Sequence, residues 1–210
     1  MNEKDAPLAP PRSDRTLAEE ELLASQEWLI RIRWIAGVSV LIATWVARNI
    51  LEAGVVAGPL YFVGVGILVY NAAFWWWVER LRRQPLMSIA GAHRLALLQI
   101  AADWVAMTYL IHRSGGVESP AILYFFLHIV LASMLLSARA TYMFAALGAL
   151  LVGGTVSLEY VGVLPHVPVD GFLPAPLYRN PAYVGGVLFF FVSTMFVITY
   201  LATGMTSRLR

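Results

Sequence analysis

The stretch Gln99-Ile-Ala-Ala-Asp103, running on through His112-Arg-Ser-Gly115-Gly116-Val-Glu118-Ser119-Pro120 to Phe126-Leu-His128, decides how this chain is read. It joins two apolar runs by a tight polar turn and places ionisable side chains inside those runs. Such groups are costly in lipid and are usually retained for a task. Gly115-Gly116 permits backbone conformations closed to other residues, and Ser119-Pro120 suits the cap and first position of a following helix. Asp103 lies as far before the middle of the turn as His128 lies after it. At ~1.5 Å per residue the two are expected at nearly equal depth. Gln99 shares a helical face with Asp103, and Tyr124 with His128, each pair being four residues apart. The expectation is a polar seam between two neighbouring helices, with Asp103, Gly115, Gly116, Glu118, Ser119, Pro120, Tyr124 and His128 as the candidate ligand-binding residues. The plainer counterpart is an Asp103–His128 hydrogen bond that only fixes helix packing.

Outward from the hairpin the whole chain has the same character. Hydrophobic residues make up 59% of the 210 residues and charged ones 13%, with a mean hydropathy of +0.68. That composition belongs to an integral membrane protein. A spanning helix needs ~20 mainly apolar residues, and six stretches qualify: Trp28–Leu51, Leu60–Val78, Leu95–Ile111, Pro120–Leu136, Ala140–Leu164 and Tyr183–Met205. The expected fold is an all-α, polytopic six-transmembrane-helix bundle, preceded by an N-terminal arm over residues 1–27 and occupying residues 28–210. Within the arm, Met1–Asp14 is rich in proline and charge and is expected to be disordered, while Thr16, with Glu19 three residues on, is the expected cap of a short amphipathic helix. The first apolar run starts too late to be a secretory signal peptide and is expected to remain as an anchor.

Basic residues accumulate on cytoplasmic flanks. With the N-terminus inside, the inner flanks carry Lys4, Arg12, Arg15, Arg31, Arg33, Arg80, Arg82, Arg83, Arg94, Arg139, Arg208 and Arg210, and the outer ones Arg48, Arg113 and Arg179. Both termini are therefore expected in the cytoplasm. The net charge of +2 reflects this topology and gives no ground for nucleic-acid binding. Arg31 and Arg33 are expected to snorkel to the inner headgroups beside Trp28 and Trp34, and Trp75-Trp76-Trp77 to anchor the second span. Gly148, Gly153, Gly154, Ala182, Gly185 and Gly186 are expected to allow close approach of the last two spans. The proline-rich loop from Val163 to Ala182 is expected to cap the bundle, with Glu159 pairing with Arg113 or Arg179.

Several chemistries are excluded or disfavoured. No cysteine occurs, so thiolate sites and disulfides are absent. His93, His112, His128 and His166 form no short metal-binding spacing, and no hydrolase elbow, zinc-protease motif or phosphate loop is present. A bis-histidine haem would need two axial ligands at one depth, which these positions do not offer.

Gly115-Gly116-Val-Glu118-Ser119-Pro120 resembles the glycine-glycine-x-x-asparagine-proline-phenylalanine heptapeptide of the RegB/PrrB redox-sensing histidine kinases, with Ser119 at the asparagine and Ala121 at the phenylalanine. The chain is also similar to a broader group of six-span bacterial sensor kinases in Glu118-Ser119-Pro120, His128-Ile-Val-Leu-Ala-Ser-Met-Leu-Leu, Leu158-Glu159-Tyr160, Leu164-Pro165-His166 and Leu177-Tyr178-Arg179-Asn180-Pro181. The resemblance implies the sensory input region of a two-component kinase in a bacterial inner membrane, with ubiquinone or menaquinone as ligand. It implies as partners a cytoplasmic kinase core, a response regulator, a second copy of the chain and membrane lipids. These 210 residues hold no phosphoacceptor histidine segment or ATP-binding box, and by the resemblance the chain is expected to be the membrane input half of a longer kinase, either a piece of it or naturally separate. Two other classes fit a six-helix chain with midplane Asp and His residues: a small proton-coupled transporter, which predicts inverted repeats and broken helices, and a passive scaffold, which predicts tolerance to loss of Asp103 and His128.

Overall fold

The computed structural model describes residues 17–82, 89–169 and 177–209. Met1–Asp14, the Thr16 cap, Arg83 and the loop residues Asp170, Phe172, Pro174 and Pro176 lie outside the described residues, as do the side chains of Glu19 and His93. Among the described residues six α-helices follow one another: α1 (Leu17–Asn49), α2 (Ala57–Arg82), α3 (Ile89–Arg113), α4 (Tyr124–Leu135), α5 (Ala138–Tyr160) and α6 (Pro181–Leu209). Short 3₁₀ turns at Gly116–Glu118, Pro120–Leu123 and Leu177–Arg179 fill the connections at the hairpin end. All described regular structure is helical, as apolar segments without water to satisfy their backbone require.

Five of these helices contain stretches long and apolar enough to cross a bilayer: Ala24–Asn49, Ala57–Arg80, Arg94–Arg113, Ala138–Tyr160 and Pro181–Thr206. The chain is a multi-pass membrane protein. The expected fourth span is the exception, because α4 has 12 residues and alone reaches only about 18 Å. The preceding 3₁₀ turn extends it to Pro120–Leu135. The arm helix and first span are one continuous rod, since nothing breaks the helix between Leu17 and Asn49.

Helices α1 and α2 pack as a close pair. A side chain at Gly37 would strike Leu68, and one at Gly64 would strike Leu41, so these glycines let the two backbones approach. The other four helices converge on Trp104 of α3, which is fully buried. Its ring meets Phe125 of α4 edge-on at 5.1 Å and Phe144 of α5 at 5.5 Å, and Phe125 in turn meets Phe191 of α6 at 5.9 Å. Edge-to-face contacts of this kind add to plain area burial. Gly148 makes room for the Trp104 ring. By contrast, Gly153, Gly154, Gly185 and Gly186 have no neighbour where a Cβ would stand. The expected glycine contact between α5 and α6 is thus not made there, and close approach is made at Gly37 and Gly64 instead. Exposed Phe, Leu, Val, Met and Trp side chains cover the outside, Trp75, Trp76 and Trp77 among them, and Arg80 lies 5.1 Å from the Trp76 ring.

Candidate functional site

Two buried polar networks occupy the bundle. The first centres on Arg33 of α1, which is 4% exposed. A guanidinium carries five donors in a rigid fork, and most of this one is spoken for. Nε and Nη2 both reach Asp103 at 2.8 Å, one to each carboxylate oxygen. Nη1 donates to Gln99 Oε1 at 3.0 Å and to Asn71 Oδ1 at 3.2 Å. Tyr70 adds a hydroxyl donation to Asp103 Oδ1 at 2.7 Å. Asn71 Nδ2 donates to the Ile30 carbonyl at 3.0 Å, and Gln99 Nε2 to Gln26 Oε1. The rings of Tyr70 and Phe74 stand 5.7 and 5.6 Å from the guanidinium carbon. A bidentate pair with further donors bonded to Gln99 and Asn71 is the arrangement in which a buried ion pair best recovers its desolvation cost.

Three expectations are corrected here. Arg33 does not snorkel. It points inward while Arg31, two residues away and on another helical face, is exposed. Asp103 does not face His128. It faces α1 and α2, because a buried carboxylate needs a cation and Arg33 supplies one. His128 of α4 bonds its own helix, Nδ1 donating to the Tyr124 carbonyl at 3.0 Å, and Tyr124 is 54% exposed on the outer surface. The seam Gln99–Asp103 exists as the spacing implies, but its partners are Arg33, Tyr70, Asn71 and Gln26. The need for a cation opposite Asp103, and the rarity of Asn71 in an apolar span, are the sequence signals that point to this network.

The second network lies at the hairpin end and is built around Glu159 of α5, 2% exposed. Its Oε1 accepts from His112 Nδ1 at 2.7 Å, and its Oε2 from His166 Nδ1 at 2.8 Å. The expected pairing with Arg113 or Arg179 does not occur, because the two imidazoles fill the carboxylate and Arg179 sits 5.4 Å from the Tyr178 ring. His166 stacks on Tyr178 at 3.9 Å between centroids, and its Nε2 lies 3.7 Å from Glu118 Oε2. Glu118 Oε1 accepts from the backbone nitrogens of Leu177 at 2.5 Å and Tyr178 at 2.9 Å. One cluster therefore ties together α3, the hairpin turn, α5 and the loop leading into α6.

The hairpin itself has the expected local form. Gly115 has φ 114° and Gly116 φ 56°, both in the left-handed region that favours glycine. A Cβ on Gly116 would fall on the Glu159 carboxylate, so this glycine provides both the bend and the space for the buried acid. Ser119 caps the turn at Pro120, accepting from Ala121 N at 3.2 Å, and its hydroxyl meets Ser114 at 2.6 Å. Of the expected ligand set, Gly115, Gly116, Glu118, Ser119 and Pro120 thus come together at this end, and Asp103, Tyr124 and His128 do not join them. Sequence reading passed over His112 and His166 as partners of Glu159, since 47 and 7 residues separate them from it and no periodic pattern links them.

A groove of about 270 Å³ runs beneath the second network between α3 and α5, lined by Val105, Thr108, Tyr109, His112, Leu151, Thr155 and Leu164. Among the described residues, no group of three histidine or acidic side chains is arranged to hold a metal ion. Compared with known proteins, the chain matches no family model, no curated protein and no solved structure.

Proposed function

We propose that this chain is the membrane-embedded input region of a two-component sensor histidine kinase, set as six spans in a bacterial inner membrane with both termini cytoplasmic. Its signal is a lipid-soluble molecule, with a quinone as the first candidate. The observation that carries this reading is the connectivity of the hairpin-end network. Glu159 and Glu118 join α3, the hairpin, α5 and the turn leading into α6 through five polar contacts of 2.5–3.7 Å, and the His166–Tyr178 stack adds a sixth link at 3.9 Å. A molecule that displaces this cluster acts on α6 at one end, and the far end of α6 is where a cytoplasmic kinase core would receive the change. Only a difference in affinity between two arrangements of the bundle can transmit a signal. A cluster of imidazoles and carboxylates is a place where such arrangements differ by little energy, whereas the Arg33 network, held by a bidentate pair, is not. The resemblance of the hairpin to redox-sensor kinases supports the quinone choice.

The test is a fusion of this chain to a histidine-kinase core in lipid vesicles, with autophosphorylation measured with and without decylubiquinone and decylubiquinol. The reading requires output that changes with the quinone's redox state and loses that response in Glu159→Gln. Equal output under all conditions, with the protein folded in the vesicles, overturns it.

A further inference from the structure

We infer that a cleft between the start of α1 and the end of α2 binds the headgroup of an ethanolamine phospholipid, with its phosphate on Arg31 and its ammonium on the Glu79 carboxylate. The site lies apart from both buried networks and does not depend on any sensory output. Residues 27, 31 and 34 of α1, and 75, 79 and 82 of α2, each share one helical face through spacings of three and four. The two faces meet across a cleft of about 310 Å³ lined by Glu27, Arg31, Trp34, Trp75, Glu79 and Arg82. Buried Ile30 and Val78 close its floor. Glu27 and Arg82 pair with each other across it. Arg31 is exposed and meets no carboxylate among the described residues.

The order of the charges along the helices matches a lipid. Arg31 lies about 6 Å farther into its span than Glu27, at 1.5 Å per residue, and Glu79 lies one turn beyond Trp75 toward the same membrane surface as Glu27. The free cation therefore stands deeper than the carboxylates, as the phosphate of a phospholipid stands deeper than its ammonium. Ile35, Val38 and Ile42 continue the face of Arg31 into the span and are exposed, so acyl chains leaving a phosphate at Arg31 run along an apolar track. Two arginines and two carboxylates line the cleft, a neutral sum that suits a zwitterion. Phosphatidylglycerol would set its phosphate beside the same carboxylates and bring no cation to them. A carboxylate has lone pairs for several donors, so Glu79 accepts from the ammonium in addition to its contacts within the protein. The indole rings of Trp34 and Trp75 add attraction for a cation. Choline shares that attraction but has no N–H, and the hydrogen bond to Glu79 separates the two headgroups.

The test uses the full chain in nanodiscs made of equal parts phosphatidylethanolamine, phosphatidylcholine and phosphatidylglycerol with identical acyl chains. Lipids that stay on the protein after release from the disc are identified by native mass spectrometry. Phosphatidylethanolamine should be retained about ten-fold over phosphatidylcholine, the effect of one hydrogen bond to a charged group, and should also exceed phosphatidylglycerol. Glu79→Gln should bring phosphatidylethanolamine down to the level of phosphatidylcholine. Arg31→Gln should lower retention of all three lipids, and Arg48→Gln, at the opposite end of α1, should leave the pattern unchanged. The comparison of lipids on the unaltered chain stands without any variant. Equal retention of the three lipids overturns the inference and marks ordinary boundary lipid. A preference for phosphatidylglycerol also overturns it, and identifies an anionic-lipid site on Arg31 alone. An ethanolamine preference that survives both Glu79→Gln and Arg31→Gln overturns it by placing the site elsewhere.

Discussion

The two buried networks differ in what their ions are made of, and that difference assigns their roles. Around Arg33 a permanently charged fork meets a carboxylate in two parallel bonds, and amide and phenol groups complete it. Such a site has one good geometry and a large penalty for any other. Around Glu159 the partners are imidazoles, each of which keeps a second nitrogen, and one of them, His112, lines a groove between α3 and α5. The first network fastens the α1–α2 pair to α3. The second fastens the loops at the hairpin end. Buried charge in a membrane helix is thus put to two uses in one chain, and the identity of the cation separates them.

The contrast predicts a graded set of effects on unfolding free energy, read by detergent or thermal titration. Arg33→Met strands Asp103 in the core without its cation and should cost about 3–5 kcal/mol, as loss of one partner of a buried pair generally does. A loss below about 1 kcal/mol would mean that the pair is hydrated and not structural. Gly116→Ala comes next, because the new methyl group meets a positive φ and the Glu159 carboxylate together; about 1–3 kcal/mol is expected from the backbone alone. Glu159→Gln should cost about 1–3 kcal/mol and should raise amide exchange in residues 163–169 and 177–180, which the carboxylate holds through His166. Unchanged exchange there would separate the loop from the cluster. His128→Leu should stay within about 0.5 kcal/mol, as substitutions away from buried partners do.

Much of this was legible before any coordinates. The apolar runs give the helices, and the hairpin's Gly115-Gly116 and Ser119-Pro120 behave as their chemistry dictates, because turn and cap preferences are local. The partner of Asp103 was not legible in the same way. Depth along a helix can be counted, but the direction in which a side chain points depends on which helices neighbour it. Equal depth made His128 look like the partner when Arg33 was available on another side. Glu159 shows the same limit, since a count of nearby charges favours Arg113 and Arg179, while the fold brings two histidines to it. Charge balance was the missing rule: a single acid buried between apolar helices calls for a cation, and Arg33, one of two arginines in the first turns of the first span, was the residue to weigh. The glycines misled for a related reason. Those of α5 and α6 are more frequent, but of them only Gly148 faces a close neighbour among the described residues, whereas Gly37 of α1 and Gly64 of α2 do so across the α1–α2 contact.

The most direct test of the account is a double-mutant cycle on Asp103 with each of its two possible partners, using Arg33→Met, His128→Leu and Asp103→Leu alone and in pairs. The account predicts a coupling of about 3 kcal/mol or more between Arg33 and Asp103, with the Arg33/Asp103 double variant recovering much of the stability that either single change loses. It predicts no coupling between Asp103 and His128. A strong Asp103–His128 coupling with none to Arg33 would contradict it.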